Sequence, residues 1–248
     1  MKLLKTILSS ALLASALITS APAEDNYGLN GRFGWGIRGN QLNLTESKKI
    51  YPHEADSGFI SGYTTTKPGN GFEFLAFRPG VEGFVKLNDT LEFTLGADLE
   101  INLDSLIGAK NQVAMTDFKQ QEGDRRSSDS GSFVYDKFYR DFLGVQPFIG
   151  ANFNTDAGRF TLEFLKPFQK FKRELGHDRF NKEDSISSET YDASGYGIRL
   201  AWTHPENNKK DSDHNLGVEA KFETYQLLNG KESAGDVKSF SLGIFTRF

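Results

Sequence analysis

Apolar residues recur at every second position along most of the chain, which is the spacing of β-strands rather than of helices. The clearest case runs from Leu91 to Leu103, where alternate positions are apolar and the positions between them are mostly charged or polar. The same alternation predicts eight strands, each with about 9–11 patterned residues, the length that a tilted strand needs to cross a bilayer. We expect them at about 27–38, 74–87, 91–103, 143–153, 160–168, 195–203, 216–223 and 237–248.

The segments that connect these strands are alternately long and short. Long polar loops are expected at about 43–70, 104–140, 170–189 and 228–236. An antiparallel barrel with both termini on one side gives this rhythm, with long outer loops and short periplasmic turns. A soluble sandwich of two sheets is the alternative, but it has no reason to alternate its loop lengths so regularly. The pattern therefore favours an all-β, eight-stranded antiparallel up-and-down transmembrane β-barrel.

The final predicted strand carries a more specific signal. Its apolar face holds Phe240, Leu242, Ile244 and the terminal Phe248. Such a strand resembles the assembly signal of bacterial outer-membrane β-barrels, and the architecture of the mature chain resembles the small eight-stranded barrels of the OmpA/OmpX type. The resemblance implies an outer-membrane location and recognition by periplasmic chaperones and the barrel assembly machinery. It carries over no family-specific functional residue.

The first 23 residues are predicted to be a secretory signal peptide. Two lysines precede a short apolar stretch from Ile7 to Ile18, and Ala21-Pro22-Ala23 matches the A-x-A cleavage pattern. The stretch is shorter than the roughly 20 apolar residues of a spanning helix. An uncleaved amphipathic or buried helix is the alternative. We expect cleavage after Ala23, which leaves residues 24–248 as one barrel domain.

Composition narrows the class of protein further. The chain has no cysteine, so disulfides do not stabilise it. Its mean hydropathy of -0.47 is low for a helical membrane protein, and no run of 18 apolar residues follows the signal segment. Barrel strands keep such a value low because half of their residues face a polar interior. The net charge of -4 is mixed in sign along the chain, and nothing in it indicates nucleic-acid binding.

If the apolar side chains face lipid, the charged side chains of the same strands face the barrel interior. The interior of an eight-stranded barrel is just wide enough for side chains to fill. These charges should therefore pair with one another, because unpaired charges out of water are very costly. On a solvated sheet face, the alternative, a balance of charge would be accidental. The expected interior set has seven positive and seven negative residues: Arg32, Arg38, Arg78, Lys86, Arg199, Lys221 and Arg247, with Glu82, Glu92, Asp98, Glu100, Glu163, Glu219 and Glu223.

A basic cluster lies at the expected outer end of the fifth predicted strand. Lys166 is the visible charge on the lipid-facing side, and Lys170, Lys172 and Arg173 follow it. Outer-leaflet lipopolysaccharide carries phosphates, which Lys and Arg bind well. We hypothesise that these four residues contact lipopolysaccharide at the rim. An ordinary solvated loop with interspersed acidic residues is the alternative.

Signals for catalysis or metal binding are weak. None of the four histidines (His53, His177, His204 and His214) lies in a predicted strand next to a serine, as a nucleophile–base pair would require. The acidic turn near His214 lacks a glycine-punctuated ligand loop for a cation. We therefore expect no catalytic residue, no metal site and no cofactor.

The function that the pattern favours is a non-enzymatic surface protein of the outer membrane. It would present four polar extracellular loops for adhesion, ligand contact or envelope integrity. Its expected partners are outer-membrane lipid, lipopolysaccharide and an unknown extracellular ligand. A small porin-like channel for solutes is the alternative, although paired interior charges argue against an open pore. A lipid A-modifying enzyme is less favoured because of the histidine placement.

Overall fold

The computed structural model describes residues 26–45, 48–50, 63–102, 116–120, 132–179, 182–204 and 215–248, so the predicted signal peptide lies outside the described residues. Within these ranges the structure is all-β. No helix in them is long and apolar enough to cross a membrane. The described strands are β1 Tyr27–Leu44, β2 Lys48–Ile50, β3 Tyr63–Pro68, β4 Asn70–Lys86, β5 Leu91–Asn102, β6 Thr116–Gln120, β7 Ser132–Arg140, β8 Leu143–Thr155, β9 Gly158–Leu165, β10 Phe168–Arg179, β11 Lys182–Thr203, β12 Asn215–Asn229 and β13 Glu232–Arg247.

The main sheet closes on itself as an antiparallel barrel. Its ring runs β13–β1–β4–β5–β8–β9–β11–β12 and returns to β13. The closing pair is β1 with β13, which match from Arg32–Arg247 to Leu44–Gly235. Strand β7 leads into β8, and β10 continues β9, so the chain follows eight paths along the wall. Strands β2, β3 and β6 form a separate small sheet. The predicted eight-stranded antiparallel barrel is confirmed.

Short turns and both ends of the described barrel lie at one rim, here called the periplasmic rim because short turns face the periplasm in barrels of this kind. The turn between β4 and β5 is fixed by the Asn88 side chain, whose Oδ1 accepts the backbone N–H groups of Thr90 (2.9 Å) and Leu91 (2.8 Å). This is the local bond that makes Asn a turn residue. Gly31 and Phe248 exchange backbone hydrogen bonds of 2.8 and 3.0 Å, which anchors the last residue to the first strand.

The exterior of the ring is apolar over a continuous band. Leu95, Ile149, Phe164 and Leu200 are 67, 60, 56 and 57% exposed, whereas the charged side chains between them point inward and are buried. This arrangement is the reverse of a soluble protein. It is stable only where hydrocarbon covers the exterior, as in membrane-spanning barrels.

At the opposite rim, the outer rim, the strands continue well past their predicted limits. The stretch predicted as a loop at 170–189 is paired strand, with β10 reaching Arg179 and β11 starting at Lys182. The stretch at 228–236 is a hairpin that turns at Gly230, whose φ is +65°. Strand β7 lies within the expected 104–140 loop, and β1 extends into the expected 43–70 loop. These four loop predictions were too long because the alternation continues there in reversed phase.

The reversal of phase is an exchange of polarity between the two faces of the wall. On β1 the outward residues change from Trp35 and Ile37 to Gln41, while the inward residues change from Arg38 to Leu42. The inward apolar side chains of this outer part form one buried cluster, here called the outer plug: Leu42, Leu44, Phe138, Phe171, Tyr191, Ala193, Tyr225, Leu227 and Val237. The outer part is therefore built like a water-soluble barrel.

The exchange of polarity locates the outer limit of the hydrocarbon. On β11 the last outward aromatic residue is Tyr196, and the strand extends from there to Lys182. At about 3.3 Å per residue and a tilt near 40°, that stretch rises roughly 35 Å along the barrel axis. The wall beyond the switch, here called the outer extension, therefore projects far from the membrane.

Candidate functional site: the barrel lumen

The middle of the lumen is organised around arginines that share carboxylates across the barrel. Glu163 accepts hydrogen bonds from Arg32 Nη1 (2.7 Å) and from Arg199 Nε (2.5 Å). Asp98 lies between the same two arginines, 2.6 Å from Arg199 Nη1 and 3.5 Å from Arg32 Nε. The Phe148 ring lies beneath both guanidinium groups, whose carbons are 4.5 and 5.1 Å from its centroid. Opposite walls are thus joined by charge-assisted bonds and cation–π contacts.

A second layer lies nearer the outer rim. Glu100 pairs with Arg38 at 2.6 Å and with Lys221 at 3.2 Å. Lys221 also lies 3.1 Å from Glu223. Arg78 pairs with Glu219 on the other side of the lumen. All of these side chains are buried, so each charge is stabilised by an oppositely charged neighbour instead of by water.

Arg140 closes the charged part of the lumen beneath the outer plug. Its Nε lies 3.0 Å from a Glu73 oxygen, and its Nη2 donates to Asn40 Oδ1 (3.0 Å) and to Ser239 Oγ (2.7 Å). The guanidinium carbon lies 4.8 Å from the ring centroids of both Phe171 and Tyr225. One side chain therefore joins the polar layers to the apolar plug.

The structure places thirteen of the fourteen predicted interior charges in buried positions. Lys86 is the exception, since it is half-buried at the periplasmic rim with its ammonium 5.9 Å from the Phe84 ring centroid. The sequence pattern missed three further buried charges: Glu73, Arg140 and Arg173. With them, the described residues bury eight positive and eight negative side chains, so the buried charges sum to zero.

The three missed charges have two separate causes. Glu73 is at an odd position of β4, whereas the inward Arg78 and Glu82 are at even positions. It nevertheless faces inward, because the β1–β4 register shifts between Gly36 and Arg38. A bulge of this kind leaves no mark in a simple alternation. Arg140 and Arg173 lie in stretches predicted as loop. The signal that could have found them is an apolar residue two positions earlier, which continues the alternation: Phe138 before Arg140 and Phe171 before Arg173.

The predicted lipopolysaccharide-contact residues do not share one face. Lys170 is exposed and lies 3.7 Å from Asp192, and Lys172 is half-buried and lies 3.0 Å from Asp141. Lys166 places its ammonium 3.7 Å from the Tyr196 ring centroid. Arg173 departs from the expectation, because it is only 2% exposed. Neighbouring residues of a strand point to opposite faces, so Arg173 faces inward beneath the barrel mouth.

The predicted assembly residues lie on or at the end of the closing strand, and His177 and His204 lie in the described part of the chain. Phe240, Leu242, Ile244 and Phe248 all lie exposed on the lipid-facing side of the closing strand or at its end. The His204 ring packs edge-on against Trp202, with centroids 5.7 Å apart. His53 and His214 lie outside the described residues. Among the residues that the structure describes, no group of three metal-binding side chains could hold an ion.

Comparison with known proteins gives only distant likenesses. No family model and no curated protein matches the chain. Among solved structures, the chain aligns with Ail, the attachment invasion locus protein of Yersinia pestis, at 13% identity over 88% of this chain and 98% of that one, with a TM-score of 0.34. Neisserial surface protein A aligns at 9% identity over 89% and 97%, with a TM-score of 0.36. The outer membrane protease OmpT from Escherichia coli aligns at 8% identity over 93% and 100%, also with a TM-score of 0.36.

These likenesses are too weak to carry an argument, so the classification rests on the chain itself. A closed antiparallel ring, an apolar exterior band and paired charges inside define an outer-membrane β-barrel. The chain is an outer-membrane barrel of the small eight-stranded kind.

Proposed function

We propose that this chain is a non-enzymatic surface protein whose barrel presents the outer extension to the cell exterior for adhesion, ligand contact or envelope integrity. The observation that carries the proposal is the exchange of polarity on β1 and β10–β13, which turns the outer wall into a water-exposed scaffold with its own apolar core. Spanning the bilayer alone needs only about 9–11 residues per strand. The additional length supports a role outside the membrane.

The filled lumen supports this role over that of a channel. Buried ion pairs fill the lumen in layers, and the outer plug lies above Arg140. Solute passage would require breaking buried ion pairs, each at a cost of about 3–5 kcal/mol. In planar bilayers we expect no steady conductance from the purified barrel. Stable single-channel steps would contradict the proposal and favour the porin-like alternative.

The proposed orientation can be tested directly because the chain contains no cysteine. Lys231→Cys places a thiol in the exposed hairpin between β12 and β13, and Asp156→Cys places one in the exposed turn between β8 and β9. A membrane-impermeant maleimide should label position 231 on intact cells and position 156 only after the outer membrane is permeabilised. The reverse pattern would refute an outward-facing extension.

We also propose a lipopolysaccharide contact at the outer rim, restricted to the three lysines that face outward. Lys166, Lys170 and Lys172 lie on or beside β10, close to the polarity switch. Reversing all three to Glu should reduce the lipopolysaccharide that copurifies with the barrel. Arg173→Glu is unsuitable for this test because that side chain is buried. Unchanged retention in the triple variant would remove this part of the proposal.

The absence of enzymatic activity is likewise part of the proposal. Its support is that His204, the histidine whose side chain is described, packs against Trp202 at the periplasmic rim. Mass spectrometry of lipid A from cells with and without the chain tests the lipid-modifying alternative. A mass change that depends on the chain would show that the barrel is an enzyme.

A further inference from the structure

A groove of about 540 Å³ lies on the outside of the barrel. It lies across β9, β11, β12 and β13, and its walls are apolar: Phe160, Leu162, Leu200, Trp202, Val218 and Leu242. Its volume falls within the roughly 300–1,000 Å³ of small-molecule sites. The groove is within the apolar band, so it faces hydrocarbon rather than water.

One small side chain, Ala220, lines the groove among large ones. Ala220 stands in a cross-strand row with Leu162, Leu200 and Leu242. The row on the periplasmic side consists of Phe160, Trp202, Val218 and Ile244, and the row on the outer side of Phe164, Ile198, Phe222 and Phe240. Ala220 is the one small residue among these twelve outward positions. Its missing side-chain volume leaves a hollow with large apolar walls.

The position of the groove indicates which leaflet it meets. Trp202 is a residue before the end of β11, and its Nε1 donates to the Ala157 carbonyl in the β8–β9 turn at 3.1 Å. Interfacial Trp residues hold their polar edge at the headgroup level. The groove therefore opens in the periplasmic half of the bilayer, where the lipids are phospholipids.

We propose that the Ala220 groove is a binding site for one acyl chain of a periplasmic-leaflet phospholipid. An empty groove would leave its walls without contact atoms and forfeit dispersion energy, and hydrocarbon is the medium available to fill it. A flexible chain conforms to such a hollow better than to the surrounding convex wall. This inference rests on the membrane placement and the proposed orientation of the barrel, and not on what its outer extension binds.

The test uses the full barrel, folded into vesicles that contain a phosphatidylethanolamine with a photoreactive diazirine at mid-chain. After illumination, label should concentrate on β9, β11 and β12 beyond their share of the exposed wall. Ala220→Leu, which adds apolar volume inside the groove, should lose most of that label, and Ala220→Val should lose part of it. Ala97→Leu is the matched control, since Ala97 is also an outward alanine of the band but lies on β5, across the ring.

The outcomes separate the alternatives. Label spread evenly around the wall in the unmodified barrel, or equal labelling of the Ala220→Leu and Ala97→Leu variants, would overturn the proposal. Barrel dimers that an amine-reactive cross-linker traps in the same vesicles, and that disappear in Ala220→Leu, would assign the groove to a second copy of the chain and would also overturn the proposal. The shift between boiled and unboiled protein on a gel shows that each variant is folded. None of these results depends on what the outer extension binds.

Discussion

Substituting Glu163 by Gln tests the lumen network most directly. The change keeps the size of the side chain and removes its charge. Glu163 has no exposed surface and is shared by Arg32 and Arg199 at contacts of 2.7 and 2.5 Å, with Arg247 at 3.9 Å. In Glu163→Gln, the two closest arginines keep one acceptor oxygen and gain an unfavourable amide donor.

The magnitude follows from the burial of these partners. Removing one member of a buried ion pair costs about 3–5 kcal/mol, because the remaining charge stays out of water. Asp98 remains within 3.5 Å of both Arg32 and Arg199, so it offsets part of the loss. We therefore expect the free energy of unfolding to fall by about 3 kcal/mol.

A surface pair provides the matched control. Asp192 lies 3.7 Å from Lys170, and their side chains are 75 and 59% exposed. Exposed pairs contribute about 0–1 kcal/mol, so Asp192→Asn should change stability by less than about 1 kcal/mol. The comparison holds the chemical change constant, carboxylate to amide, and varies only the burial.

The assay is reversible denaturant unfolding in phospholipid vesicles, followed by tryptophan fluorescence. Both tryptophans, Trp35 and Trp202, face outward in the apolar band and report transfer from lipid to water. If Glu163→Gln costs no more than Asp192→Asn, the lumen charges are solvated and the sealed network is refuted. An equal cost would also restore the channel alternative.

Three further predictions use the same unfolding assay. Leu95→Arg, in the exposed apolar band, should lower the free energy of unfolding by about 2–4 kcal/mol, whereas Gln226→Arg, beyond the polarity switch, should leave it almost unchanged. Equal losses would contradict the placement of the membrane boundary between these two residues. Gly230→Ala should cost about 1–2 kcal/mol, because its φ is +65° but the added Cβ meets nothing within 4 Å. Gly235→Ala should destabilise the barrel more, because its φ is +146° and the added Cβ would lie 2.1 Å from a β1 carbonyl oxygen. The reverse order would contradict the tight β1–β13 closure. Arg140→Ala should lower the free energy of unfolding by about 3–5 kcal/mol, since it leaves the buried Glu73 carboxylate without its closest guanidinium. A loss near zero would show that the outer plug and the charge layers are independent.

The outer extension shows where alternation fails as a guide. On β12 the apolar residues Val218 and Phe222 face lipid, whereas Tyr225 and Leu227 face the outer plug. A strand that leaves hydrocarbon for water must move its apolar residues to the inner face, so their parity changes along one continuous strand. A search for a single apolar face therefore ends the strand at the membrane boundary and predicts a loop beyond it.

The ion pairs of the lumen could not be predicted from alternation either, for a different reason. Alternation predicted which charges face inward, but it did not predict that Arg32 and Arg199 would share Glu163. These residues are on β1, β11 and β9, and Arg32 and Glu163 are 131 positions apart in the sequence. Their meeting depends on how far each strand is staggered against the next when the ring closes.

The sequence by itself determined the number of strands, the lipid-facing side of each and the near balance of interior charge, because all three depend on residue type and a period of two. Only the tertiary structure decided which charges pair, that Glu73 joins them through a bulge, that Arg173 turns away from lipid, and that the wall continues outward around an apolar plug. Those features depend on strand stagger and on the height of each residue relative to the bilayer. A local pattern encodes neither quantity, because both are set by contacts between strands far apart in the chain.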